Sequence, residues 1–221
     1  MATYDTVKSD ETLLAIVEAL RDLDEPGVTD LATRLDMAKS AVHKHLRTLE
    51  NHEYVVNNGG RYRLSFRFLS LGGHVREQVD MCRYAAPKAR ELADKTDSFV
   101  MFAINEFDRG VFTCVCNDQH GIRQTSPLGK RFHLHTNASG KAILARLPDE
   151  EVNSIIETAG LPRQTPHTLT TREELFAELE TIRDRGYATS YQERVEGARS
   201  LAASVEDSDA DLVGAMSITR P

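Results

Sequence analysis

A chain of 221 residues, 40% hydrophobic and 28% charged, can bury one large core or two modest ones and reads as an ordinary globular protein. No apolar run approaches the roughly 20 residues that cross a bilayer, and the opening "MATYDTVKSDETLLAIVEAL" has no basic start before a greasy segment. Three cysteines are too few for a secreted disulfide framework, and the formal charge of −7 excludes indiscriminate binding to nucleic acid. A cytoplasmic protein without membrane contact is expected, and any DNA contact must come from a local patch.

Such a patch stands near the start. Between Ser9 and Leu23, Leu13, Leu14, Ile16, Val17 and Leu20 recur at helical spacing, and "DEPG" ends the helix. Thr29 suits the N-cap of a second helix carrying Leu31, Ala32 and Leu35. After the tight connection "DMAK", Val42, Leu46 and Leu49 lie at i, i+4 and i+7 and predict the buried face of a third helix. "YVVNNGGRYRLS" then alternates around an Asn-Asn-Gly-Gly centre that tolerates the positive φ of a hairpin turn. Three helices and a hairpin, in this order, make a winged helix-turn-helix. Phe66 to Val79 reads as a connecting helix with a weak point at "LGG".

Beyond Pro87 the pattern becomes mixed. "ELADKT" ends a helix; "SFVMFAI", "GVFTCVC" and "RFHLH" read as strands, and "NASGKAILARL" turns into a helix. Pro148 opens another helix, and Thr171 with Glu174 forms a capping box for a helix that Gly186 stops. "SLAASVED" and "LVGAMSI" close the chain as a hairpin around "SDAD". The fold class is α+β. Residues 1–65 are expected to form the DNA-binding unit, 66–82 a linker helix and 83–221 a second domain.

With one face of the third helix buried, Ser40, Ala41, His43, Lys44 and Arg47 point outward, with Lys39 at the helix start. Small, donor-rich and cationic side chains are what entry into a major groove requires. Arg61 and Arg63 of the hairpin, followed by Arg67, suit flanking phosphates or a minor groove. An isolated basic helix is usually a solvated face. Here the order of helices, turn and Arg-bearing wing points instead to double-stranded operator DNA.

The blocks "VKSDETLLAIVEAL", "GVTDLATRLDMAKSAVHKHLRTLENHEYV", "GRYRLSFRFLSLG", "LHTNASGKAILARLP" and "TREELFAELETIRDRGYA" together resemble the IclR family of transcriptional regulators over nearly the whole chain. The resemblance implies an N-terminal winged helix-turn-helix, a linker helix and a C-terminal GAF-like α/β domain that binds a small-molecule effector. It also implies homodimers or pairs of dimers on DNA, no enzymatic activity and no cofactor. A final helix usually follows the last strand, so with "TRP" at its end the chain is expected to lack that helix.

The family's pocket lies over the loop matching "HTNASGK", which carries over Ala138 and Ser139 as donors to a ligand carboxylate. Loop amides ahead of a helix are natural anion donors. Ser217 and Thr219, at i and i+2 on one strand face, match hydroxyl-bearing pocket positions. Ser190, beside Tyr191, stands where many members carry an acid, and Ser200 where they carry a cysteine. The effector is therefore expected to be a polar, anionic metabolite, an organic or sugar acid.

Two motifs carry competing chemistry. If "CVC" and "HLH" are both strands, Cys114 with Cys116 and His133 with His135 could present a Cys2His2 tetrahedron for zinc; otherwise the cysteines fill a core and the histidines sit on a rim. A redox sensor or thiol enzyme using Cys114 or Cys116 would further need a lowered thiol pKa. "SGK" suggests a phosphate loop but lacks the upstream glycine, so Lys141 reads as a helix-surface residue. An architectural DNA-binding protein without a ligand is the remaining alternative, and the size of the second domain opposes it.

Overall fold

The computed structural model describes residues 5–116, 128–207 and 212–221. The chain divides into two compact units, Met1–Val75 and Arg76–Pro221. No described helix is long and apolar enough to cross a membrane.

In the first unit α1 (Lys8–Asp22), α2 (Val28–Leu35) and α3 (Lys39–Asn51) precede a hairpin of β1 (Val55–Asn58) and β2 (Arg61–Leu64). Ile16 and Leu20 of α1, Leu31 of α2, and Val42, Leu46 and Leu49 of α3 form one core with Val55 and Tyr62 of the hairpin. The i, i+4, i+7 stripe on α3 is therefore buried. Asp36 takes a left-handed conformation that ends α2, and the Met37 amide donates to the Ala32 carbonyl, which makes the turn between α2 and α3 tight.

Thr29 is not the cap of α2. The helix starts one residue earlier at Val28, and the Gly27 amide donates to the Asp30 carboxylate at 2.9 Å. An acid three residues into the helix supplies the reciprocal half of a capping box and outcompetes the threonine hydroxyl. In the hairpin, Gly59 and Gly60 have φ of 61° and 90°, as a two-residue turn of this hand requires. The Tyr62 amide donates to the Pro26 carbonyl and Gly27 bridges Arg61, so the segment before α2 adds a third edge to the wing.

The weak point lies elsewhere than "LGG". Helix α4 (Arg67–Gln78) continues through Gly72 and Gly73, and the break comes at Val79, whose extended φ and ψ of −100° and 103° precede α5 (Asp80–Thr96). Glycine costs an exposed helix only about 1 kcal/mol per residue, which lowers stability without stopping the helix. Pro87 lies inside α5.

The second unit is a six-stranded antiparallel sheet in the order β5-β4-β3-β8-β7-β6. Its strands are β3 (Phe99–Glu106), β4 (Arg109–Cys116), β5 (Arg131–Phe132), β6 (Ala188–Tyr191), β7 (Arg199–Asp207) and β8 (Leu212–Arg220). Alternate residues of β3 feed opposite faces: Phe99, Met101 and Ala103 pack toward α6 (Ala138–Leu144), α7 (Asp149–Ala159) and α8 (Arg172–Arg185). Val100, Phe102 and Ile104 pack toward α5. A bulge in β4 leaves Thr113 unpaired between Phe112 and Cys114, and this moves Phe112 to the α6 face and Cys114 to the α5 face.

The capping box of Thr171 and Glu174 and the left-handed Gly186 at the end of α8 are present as expected. β7 and β8 pair from Arg199↔Arg220 to Asp207↔Leu212, while the "SDAD" turn at 208–211 lies outside the described residues. Strand β6 was not anticipated. Its four residues, Ala-Thr-Ser-Tyr, carry little apolar signal of their own and owe the strand to pairing with β7.

"RFHLH" is a strand only over Arg131 and Phe132, because Leu134–Thr136 winds into a 3-10 turn. Close packing of α6 on this segment accounts for the turn. A side chain at Gly140 would place its Cβ 2.0 Å from the Leu134 carbonyl oxygen, so this glycine lets α6 sit directly on the turn.

Candidate functional site

Two arrangements of side chains concentrate chemistry, one in each unit. The first is the outward face of α3. Lys39, Ser40, His43, Lys44 and Arg47 are exposed, and Ala41 is half-buried. No described acid forms an ion pair with Lys39, His43, Lys44 or Arg47. The first turn of α3 carries no acidic residue, and Ala38, at the N-cap position, offers no side-chain acceptor to its amides. A helix start with free N–H groups and cations beside it attracts phosphate oxygens.

The wing differs. Arg61 is exposed but held by Asp30 at 3.0 Å, and Arg63 is half-buried with Nη1 donating to the Leu64 carbonyl. Arg67 reaches Glu53 at 3.4 Å and lies over the Tyr54 ring. Arg61 is thus aimed from α2, a constraint invisible in the spacing of the hairpin alone.

The second arrangement is a narrow cleft of about 30 Å³ on the α6 face of the sheet. Five of the six effector candidates line it: Ser139 from the start of α6, Ser190 from β6, Ser200 from β7, and Ser217 and Thr219 from β8. Register explains their convergence. Ser190 pairs with Ser200, and Ser200 with Thr219, so three hydroxyls form a row across three strands. Ser217 lies two residues from Thr219 on the same face, its hydroxyl donating to the Met101 carbonyl at 3.4 Å. Ala138 is fully buried beside the cleft without lining it.

Several polar atoms here are buried without a partner: Thr219 Oγ1, Asn137 Nδ2 and Glu193 Oε2. Asn137 uses its other side-chain atom on the N-cap of α6, where Oδ1 accepts from the Gly140 amide at 2.9 Å. An unsatisfied buried polar atom costs about 1–3 kcal/mol, so three in one cleft call for a partner.

Lys141 is not a surface residue. It is 1% exposed, and Nζ donates to Glu193 at 2.7 Å and to Glu178 at 3.4 Å; Glu178 in turn pairs with Arg185. Every residue of α6 is buried, which leaves a lysine on it no solvent-facing side. The sequence carried no sign of this, because seven residues are too few to display an amphipathic period. Glu193, Arg194 and Val195, which complete the cleft, were likewise missed: they sit between strands on a stretch with no pattern of its own.

The Cys2His2 site does not form. Cys114 and Cys116 share a face, with sulfurs 3.9 Å apart, and Cys114 packs with α5. His133 and His135 flank Leu134, which packs in the core on the α6 side. Among the described residues no three His, Cys, Asp or Glu side chains gather as metal ligands. Burial and its neighbour Cys116 push the Cys114 thiol up to about 11, the wrong direction for a reactive thiolate. His135 Nε2 donates to the Pro162 carbonyl at 3.2 Å, and burial pushes its imidazole down to about 4.

Comparison with known proteins finds a family match for each of the two units. Residues 12–59 match the IclR helix-turn-helix domain, and residues 73–221 match the domain described as bacterial transcriptional regulator IclR C-terminal. The HTH-type transcriptional regulator KdgR of Dickeya chrysanthemi is 32% identical over 219 residues, covering 98% of this chain and 72% of the relative. The crystal structure of the Thermotoga maritima IclR superposes with a TM-score of 0.77 at 27% identity, over 96% of this chain and 85% of that one. An IclR homologue from Microbacterium hydrocarbonoxydans, complexed with 4-hydroxybenzoate, shares the fold with a TM-score of 0.76 at 18% identity, over 95% and 89% of the two chains. With a helix-turn-helix whose α3 presents unpaired cations, a sheet domain holding a polar cleft, and family matches to both, this chain belongs to the IclR family of transcriptional regulators.

Proposed function

We propose that this regulator reads operator DNA with α3, using Arg47 or His43 on a base edge and Lys44 on phosphate, with Lys39, Ser40, Ala41, Arg61 and Arg63 at the flanks. The observation that carries this half is the exposed cationic face of α3 opposite a fully buried stripe. The effector is an organic or sugar acid held in the cleft by Ser139, Ser190, Ser200, Ser217 and Thr219, with Ala138 contributing backbone. The orphaned Thr219 hydroxyl supports it. A carboxylate-bearing ligand is also what the Microbacterium homologue of the same fold carries.

In this reading residues 1–65 bind DNA, 66–82 link and 83–221 sense the effector, and the protein works in the cytoplasm as a homodimer. Phe66, Leu69 and Val75 are 79%, 66% and 57% exposed, an apolar stretch on and beside α4 that suits a second copy of the chain. Half-sites on DNA lie about 34 Å apart per helical turn, so an effector that favours one arrangement of two wings changes operator affinity. A gel-shift titration on operator DNA with and without organic acids tests the whole reading. Binding that no acid alters would leave an architectural DNA-binding protein, and light scattering that shows only monomers would remove the dimer.

A further inference from the structure

The cleft holds a cation that no described acid neutralises. Its ionisable lining residues are Glu193 and Arg194. Glu193 is matched by Lys141, whereas Arg194 forms no ion pair or hydrogen bond among the described residues. Its guanidinium lies 5.1 Å and 5.2 Å from the ring centroids of Phe112 and Phe132, which stack on each other at 4.4 Å. Burial lowers the Arg194 pKa from its usual value, yet a guanidinium stays charged in proteins. An uncompensated cation in a poorly hydrated site is costly unless an anion arrives.

Arg194 is also held in place. The backbone ahead of it is clamped by two threonines: the Thr165 hydroxyl donates to the Gln192 carbonyl at 2.7 Å, and the Thr168 hydroxyl to the Glu193 carbonyl at 2.6 Å. The Lys141 bond fixes the Glu193 side chain, leaving Oε2 as a buried acceptor without a donor. One cleft therefore presents a preorganised cation, an unused carboxylate oxygen and a row of hydroxyls. Preorganisation of this kind turns polar contacts into affinity, because little ordering remains to be done on binding.

We propose that Arg194 is the anion anchor of the cleft and that the effector is a hydroxy acid. Its carboxylate pairs with the guanidinium, and a hydroxyl donates to Glu193 Oε2 while others meet Ser190, Ser200 and Thr219. This rests on the reading of the cleft as the effector site and narrows it: a neutral polyol leaves Arg194 uncompensated, and an acid without hydroxyls leaves Glu193 Oε2 without a donor.

The test uses the full chain and matched probes: glycerate and gluconate, glycerol and sorbitol as uncharged counterparts, and propionate and hexanoate as counterparts without hydroxyls. At least one hydroxy acid should raise the melting temperature of the parent, and both of its counterparts should bind at least about tenfold more weakly. Arg194→Met should weaken that acid by about 10- to 100-fold, and Arg194→Lys should restore part of the loss. Without ligand, Arg194→Met should melt no lower than the parent, since a methionine on two phenylalanines replaces an unpaired charge. The proposal is overturned if polyols bind as well as the acids, if no hydroxy acid stabilises the parent, if Arg194→Met binds the acid unchanged, or if that variant melts lower when empty. Hydroxy-acid binding that leaves operator affinity untouched would instead defeat the sensor reading and leave the anchor standing.

Discussion

The outward face of α3 and the cleft are both rich in polar side chains, but they are polar in opposite ways. On α3, Lys39, His43, Lys44 and Arg47 stand in solvent, where an unpaired charge costs little, and they all come from one short segment. In the cleft, Ser139, Ser190, Ser200, Ser217 and Thr219 come from four elements and are mostly buried, where each unmet hydrogen bond is expensive. A partner as large and charged as DNA can be met by a ready, hydrated surface. A small ligand must be met by groups already withdrawn from water, so the cleft stores in its orphaned atoms part of what the ligand will satisfy.

If that contrast holds, the largest effect should come from the ion pair that shapes the cleft. Lys141→Met leaves Glu193 buried without its counter-charge, and the second unit should lose on the order of 3–5 kcal/mol in a urea titration. A loss below about 1 kcal/mol would mean that water already reaches the pair.

Acid should act on the same unit. His135 is held neutral down to about pH 4, while its unfolded counterpart protonates near 6.5. Stability from this residue is complete above about pH 6.5 and is lost as pH falls toward 4, by up to about 3 kcal/mol. His135→Gln should flatten that decline; an unchanged profile would assign it to other groups.

Smaller effects belong to the surface. Arg47→Ala should cost about 1–3 kcal/mol of operator affinity with relaxed sequence preference, whereas Lys44→Ala should weaken all sequences alike and lower the salt slope by about 1. Neither should move the melting temperature, because both side chains are exposed. Gel shifts in which both variants match the parent would break the assignment of α3.

The smallest and sharpest test concerns one hydroxyl. Thr219→Val removes the unpartnered Oγ1 at nearly constant shape and should stabilise the empty protein by up to about 1 kcal/mol. A lower melting temperature would mean that the hydroxyl is already satisfied.

The first unit was legible because its signals are local. Val42, Leu46 and Leu49 repeat within one helix, and the Asn-Asn-Gly-Gly turn needs only its own backbone. Capping was legible where a side chain caps its own helix, as at Thr171, and misread where Asp30 displaced Thr29. Cys114 and Cys116 were correctly placed on one face, yet the bulge at Thr113 and the 3-10 turn at Leu134 separated them from the histidines. Both irregularities answer to packing against other elements, α6 above all, and periodicity carries no record of them.

The amino-acid sequence alone determined the order of elements in the first unit, the buried stripe and cationic face of α3, and the hydroxyl spacing on β8, since each depends on residues within a few positions of one another. Only the tertiary structure decided that Ser190, Ser200 and Thr219 form a row, that Lys141 is buried against Glu193, and that Arg194 rests on Phe112 and Phe132 without a counter-charge among the described residues. Those juxtapositions depend on strand register and on which face each strand turns toward α6. Register is a property of the paired sheet, and no single strand contains it.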